Sequence, residues 1–285
     1  MKKILIILGV ILLLGGCSSI NMENMTIVTS AYPVEYITSK LYKDNIKTME
    51  SIYPDSTDPS KIEYSKKQIN DFAKNDLFIY YGLVEKESNL AVKLKNTKPS
   101  MLIIDSSSGL SNTPEDLSYL DPTNIIMIAK NIKTRLVNMQ SDFQIRNKLE
   151  ENYKKINIKL SNLDADIKTM AENAPYKKII IDNNKLSFLK RYGLDVISLQ
   201  DNLSERELAN IRNLIDNGII KYIYTLNYEV ENDITMKLLG KTNAELIKLN
   251  PMLTLNDGER QKHISYFTLM NNNLNEIKKE LYKTK

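Results

Sequence analysis

The sequence predicts an α/β protein of two lobes, each a mostly parallel sheet flanked by helices, joined by a long rigid helix. Three observations predict it. Over residues 25–147, short apolar runs alternate with amphipathic stretches of about ten residues, the rhythm of parallel strands with crossover helices. An unbroken amphipathic stretch follows over 148–174. The strand and helix alternation then resumes over 175–285.

The chain starts with an address. Lys2 and Lys3 precede an apolar run from Ile4 to Leu14. As a helix that run covers about 16 Å, against about 30 Å of bilayer hydrocarbon, so residues 1–16 read as a secretory signal peptide. Leu14-Gly-Gly-Cys17 resembles the bacterial lipobox, whose cysteine thiol receives a diacylglycerol before cleavage, and Cys17 is the only cysteine in the chain. An ordinary signal with a coincidental cysteine is the alternative. Two acyl chains, at about 0.8 kcal/mol per buried methylene, hold where one would not. Cys17 is therefore expected to be the lipid attachment site and residues 17–24 a polar tether. The protein is expected at the extracytoplasmic face of a bacterial cell membrane, and the high Lys and Asn usage suits a Gram-positive surface.

In the first lobe, Thr26–Thr29 reads as a buried strand and Val34–Tyr42 as a helix placed just after Pro33. Lys47–Tyr53 is a second strand, ended by the turn-rich Pro54-Asp-Ser-Thr-Asp-Pro59. Ser65–Lys74 has helical spacing, and Asp76–Tyr80 and Met101–Ile104 complete four strands. Leu149, Tyr153, Ile156, Leu160, Leu163, Ile167 and Met170 recur at alternating steps of four and three, which makes one long helix ending before Pro175. Packing on its own lobes and a coiled-coil dimer are the two readings of that stripe; a monomer follows from the first. Beyond it, Lys178–Asp182, Asp195–Leu199 and Lys221–Thr225 are strands. Ser204 and Glu207 form a capping box for a helix to Asn217, and Asn273–Tyr282 closes the chain.

Composition narrows the chemistry. With 39 Lys and Arg against 35 Asp and Glu, no excess of positive charge points to nucleic acid. One Cys and one His exclude an internal disulfide and a cysteine-rich zinc site. No nucleophile elbow, phosphate-binding glycine loop, dinucleotide fingerprint or zinc-protease helix is present, so no enzyme and no cofactor is called for.

Particular strings carry a resemblance. Thr29-Ser-Ala-Tyr-Pro33, Asp58-Pro59 with Glu63 and Ser65, Asn75-Asp-Leu-Phe-Ile-Tyr-Tyr-Gly82, Tyr119-Leu-Asp-Pro122, Glu151–Asp164, Arg191-Tyr-Gly-Leu194 and Tyr266–Leu274 resemble, in order, motifs of the metal-binding solute-binding lipoproteins of ABC transporters. Members of that family capture zinc or manganese, and some have been described as adhesins. The resemblance implies capture of a solute between the lobes and delivery to a membrane permease.

It also implies a ligand set, and here the chain departs. By registration the family's imidazole positions fall on Ser60, Leu117 and Asn183, and its later acidic positions on Leu226 and, less well aligned, Thr254. Leucine offers no donor to a dehydrated cation. Ser60, Asn183, Asp58, Asp182 and Thr254 are the candidate cleft positions, with weak metal binding, a different metal, or none as the readings. Asp55, Asp58, Glu63, Glu115, Asp116 and Asp182 read either as oxygen ligands for a hard cation or as turn caps. Tyr32, Tyr53, Tyr64, Tyr80 and Tyr81 read either as pocket lining or as core. His263 reads as a surface histidine. A non-metal solute, or a surface interaction role without a small ligand, are the alternatives in function.

Overall fold

A computed structural model describes residues 23–111, 113 and 118–284. Cys17, Glu115, Asp116 and Leu117 lie outside the described residues. Two four-stranded sheets form the frame, and every strand pairing in them is parallel. The first holds β1 (Met25–Thr29), β2 (Ile46–Ser51), β3 (Leu77–Tyr80) and β4 (Leu102–Asp105) in the order β2-β1-β3-β4. The second holds β5 (Lys178–Ile181), β6 (Asp195–Ser198), β7 (Tyr222–Leu226) and β8 (Glu245–Leu249) in the equivalent order β6-β5-β7-β8. In both, the strand order reverses between the first and third strands. Ligands of open α/β sheets sit outside the carboxyl ends of the strands at that crevice.

Helices cover the sheets. They are α1 (Tyr32–Tyr42), α2 (Lys66–Phe72), α3 (Glu85–Thr97), α4 (Pro122–Met139), α5 (Phe143–Asn173), α6 (Glu205–Asp216), α7 (Asp233–Lys241), the short α8 (Asp257–Gln261) and α9 (Tyr266–Leu281). The long helix α5 begins at Phe143, five residues before the 148 expected from the leucine stripe, because the Asp142 carboxylate accepts the amides of Gln144 and Ile145 and so caps it there. Its stripe faces inward as read: Leu149, Ile156, Leu160, Leu163 and Ile167 are buried. The closing helix α9 starts seven residues earlier than expected, because the Ser265 hydroxyl accepts the Thr268 amide and caps it there. Sequence reading missed α3, α4, α7 and β8 as elements. Of these α4 carried a clear signal, Asp121 before Pro122 and then Ile125, Ile128, Ala129, Ile132 and Leu136 on one face.

One apolar core runs from Met25 in the first sheet through α4 and α5 to Leu281 in α9, and a smaller one lies between the second sheet and α6 and α7. Among the described residues, all of it belongs to residues 25–281. The halves also meet through polar contacts. Arg191 pairs with the buried Asp121 at 2.5 Å, and the Tyr266 hydroxyl donates to the Tyr119 carbonyl at 2.9 Å.

Candidate functional site

A segment of the second half, Met252–Arg260, which follows β8, lies against the segments that follow β1 and β2 in the first. The Tyr32 amide donates to the Leu253 carbonyl at 3.0 Å and the Ser56 amide to the Leu255 carbonyl at 2.8 Å. The Thr254 hydroxyl reaches the Thr57 carbonyl at 3.4 Å. Arg260 then places one guanidinium between two carboxylates of the first half. It meets Asp55 through Nε at 2.7 Å and Nη2 at 2.8 Å, and Glu35 through Nη1 and, at 3.1 Å, Nη2. Those two carboxylates push the Arg260 pKa further up. The depression beside this contact, with Tyr32, Glu35, Arg260 and His263 on its walls, measures about 150 Å³, room for a few waters. His263 is exposed on its rim.

On the first half, Ser60 is exposed in a turn of 3-10 helix, Pro59–Lys61. Its amide and hydroxyl both donate to Asp58 Oδ1, at 3.0 and 2.7 Å, and Lys61 lies 3.2 Å from the other Asp58 oxygen. These donors hold the Asp58 carboxyl below the usual range, the Ser60 hydroxyl first among them. Asp58 is thus a turn cap, the second of its two expected roles. Lys86, from α3, donates to the carbonyls of Pro59, Ser60 and Ile62 at 3.2, 2.9 and 2.7 Å. An ammonium therefore sits on the turn that the family registration assigns to an imidazole.

On the second half, Asp182 and Asn183 follow β5. Asp182 is almost fully buried and accepts from the Thr225 hydroxyl at 3.1 Å, the Asn232 amide at 3.3 Å and the Thr235 hydroxyl at 2.5 Å. Asn183 accepts the Lys185 amide at 2.9 Å, opening the 3-10 stretch Asn184–Tyr192. Leu226 is buried at the end of β7. The carboxylates nearby are also taken: Glu229 by Lys185 at 2.7 Å and Glu231 by Lys248. Asp182, Asn183 and Leu226 thus share one edge, and Ser60, Asp58 and Thr254 gather at the other. No hydrogen bond or ion pair joins the two groups among the described residues. Nor is there among them any group of three or more His, Cys, Asp and Glu placed to hold a metal ion. Glu63 is exposed.

Tyr32, Tyr53 and Tyr81 are buried, and Tyr64 and Tyr80 pack against the core; Tyr32 also lines the depression beside Arg260, and the other four gather round a residue that sequence reading passed over. Glu87, at the start of α3, is fully buried; its Oε1 accepts the Tyr53 hydroxyl at 2.9 Å and its Oε2 the Tyr81 amide at 2.8 Å. The Ser30 hydroxyl also faces this carboxyl without an aligned hydrogen bond. Burial outweighs these donors and pushes the Glu87 pKa up to about 7. Glu87 lies in the helix that follows β3, whereas Asp182 directly follows β5.

Comparison with known proteins agrees with this frame. The family described as zinc-uptake complex component A, periplasmic (ZnuA) matches residues 27–280. The high-affinity zinc uptake system protein ZnuA of Bacillus subtilis (strain 168) is 22% identical, over 93% of this chain and 90% of its own. The metal-dependent lipoprotein YcdH of Bacillus subtilis superposes with a TM-score of 0.71 at 25% identity, covering 90% of this chain and 99% of the other. The Zn(II)-bound ZnuA-like domain of Streptococcus pneumoniae AdcA does so with a TM-score of 0.72 at 21% identity and the same coverage. This chain belongs to the ZnuA family, whose members are the extracytoplasmic solute-binding proteins of metal-type ABC transporters and not enzymes.

Proposed function

We propose that this chain is a lipid-anchored binding component of such a transporter, held at the membrane through Cys17 and presenting its strand-end face to an ABC permease, in which the family's metal cage has been replaced by internal hydrogen bonds and ion pairs. Its lobes are residues 25–147 and 175–285, with 148–174 as the helix that limits their relative motion. One observation carries the reading. Among the described residues, five carboxylates at the mouth already have partners from the chain itself: Asp58 has Ser60 and Lys61, Asp55 and Glu35 have Arg260, Asp182 has two threonines, and Glu229 has Lys185. A divalent ion would have to displace these cations and sit beside Lys86. The cargo of the relatives, zinc, is therefore not proposed as the cargo here.

The narrow depression under Arg260 favours a second reading, in which the closed mouth serves as a protein-contact face without a small ligand. One experiment addresses both. The metal-stripped chain from Ser18 is heated with zinc, manganese, iron(II), calcium or magnesium, with the metal content of the untreated protein measured alongside. A ligand at 100 times its dissociation constant adds about 2.7 kcal/mol, which melting resolves. The expected result is no saturable shift with any of the five. A saturable shift with one transition metal sinks the proposal.

A further inference from the structure

We propose that the groove between α1 and α5 is a membrane-docking surface for anionic lipid headgroups. It rests on the reading of Cys17 as the lipid anchor. Lys40 and Lys43 from the end of α1, and Lys155 and Lys159 from α5, line a groove of about 430 Å³ floored by Tyr36 and Asn152, with no carboxylate in its lining. All four lysines are exposed, and none has an ion pair among the described residues, while fourteen other pairs between Lys or Arg and carboxylates are formed. Lys40 lies over the Tyr36 ring at 5.1 Å. Asp44 and Glu151 stand on the neighbouring turns outside the lining. Lys155 and Lys159 are one turn apart on the same helix, a spacing at which like charges repel, and Lys40 faces them across the groove. An anionic surface removes that repulsion.

The place of the groove says which anion. Met25, the first residue of β1, pairs with Ile46, three residues after Lys43. Glu23 stands near enough to Tyr42 to add to the rise of its phenol pKa, which burial dominates. The chain upstream of Glu23 therefore joins the fold beside Lys43. Asn152 fixes α5 there by donating to the Leu41 carbonyl at 2.9 Å. Cys17 is six residues before Glu23, at most about 21 Å of extended chain. An acyl anchor at Cys17 keeps this face within reach of the headgroups, where each lysine near an anionic leaflet strengthens binding about fivefold. Tyr36 and Lys40 also line the depression beside Arg260, so the groove and that depression adjoin along α1.

The test uses the chain from Ser18, which keeps every core residue among the described residues and lacks the anchor, sedimented with vesicles of phosphatidylcholine alone or with about 30% phosphatidylglycerol, at about 50 and about 500 mM salt. The expected result is binding to the anionic vesicles only, lost at high salt, and weakened more than a hundredfold in K40Q/K43Q/K155Q/K159Q. The charge-matched K67Q/K190Q/K237Q/K262Q, whose lysines lie elsewhere on the surface, should keep most of it, and both variants should melt with the parent. Equal loss in the two variants, or no binding to anionic vesicles, overturns the proposal. So does a saturable stabilisation by inorganic phosphate that the groove variant loses while vesicles go unbound, which would make the groove a site for free phosphate. Detergent partition of the full-length chain and its Cys17→Ser variant reads the anchor separately, so failure of either claim is recognisable by itself.

Discussion

The Tyr53 hydroxyl donates to Glu87 Oε1 at 2.9 Å inside the first half, and this bond joins the end of β2 to the start of α3 beneath the mouth. With only the Tyr81 amide as a second close donor, the carboxyl is poorly compensated when ionised. Its pKa is raised from 4.5 to about 7, so between those values the unfolded chain has released a proton that the folded chain keeps. Stability from this group is full below about pH 4.5, falls as pH rises through the window, and is flat above it. The loss is about 3 kcal/mol.

Glu87→Gln removes the charge and keeps one acceptor oxygen, which can take the Tyr81 amide, while its new N–H groups can donate to the Tyr53 hydroxyl and the unpartnered Ser30 hydroxyl. The variant should therefore be more stable than the parent at pH 8 by about 1 to 3 kcal/mol and about equal to it at pH 5. Urea titrations at the two pH values check this. A difference between the proteins that does not change with pH would mean that Glu87 is not the titrating group.

Arg260 ties the second half to Glu35 and Asp55 of the first. Its side chain is 38% exposed, so solvent and salt screen the contact and its worth is about 1 kcal/mol. Arg260→Met leaves Glu35 and Asp55 as neighbouring carboxylates without their shared cation. The expected outcome is a loss of about 1 to 2 kcal/mol at low salt that shrinks at high salt, with much of it recovered in the double variant with Asp55→Asn. An unchanged denaturation midpoint at low salt would show that the ion pairs do not hold the halves together.

The same two residues show what sequence could and could not reveal. The parallel sheets, the long helix and the family strings were legible because they depend on local periodicity and on short runs of neighbouring residues. For Asp58 the cap was one of two readings, since Asp before Pro and Ser is turn chemistry. Glu87 was not legible: Glu85-Lys-Glu87 at the head of a charged helix reads as a solvated face, and only the tertiary arrival of Tyr53 and Tyr81 buries it. Arg260 sits in the polar stretch Asp257-Gly-Glu-Arg260, and its partners lie 205 and 225 residues away. The acids flanking the mouth carried two readings because ligand and cap use the same residue types; the partner decides, and most partners are distant in sequence.

Asp182 separates the two readings most directly, because a cargo ligand and a structural acceptor respond differently to its removal. It is buried, with the Thr225 and Thr235 hydroxyls and the Asn232 amide as donors, and Asn232 is itself the cap of α7 through Thr235. Asp182→Ala strands those donors in a site closed to water and should cost about 3 kcal/mol. Thr235→Val, which deletes one donor and keeps the shape, should cost about 1 kcal/mol. Neither change should alter the response to zinc or manganese in a melting series, since on the structural reading the buried Asp182 serves the chain's own donors and not an ion. If Asp182→Ala instead left stability near that of the parent and abolished a metal-dependent shift, the carboxylate would be a cargo ligand, and the internal replacement of the family's cage would have to be abandoned.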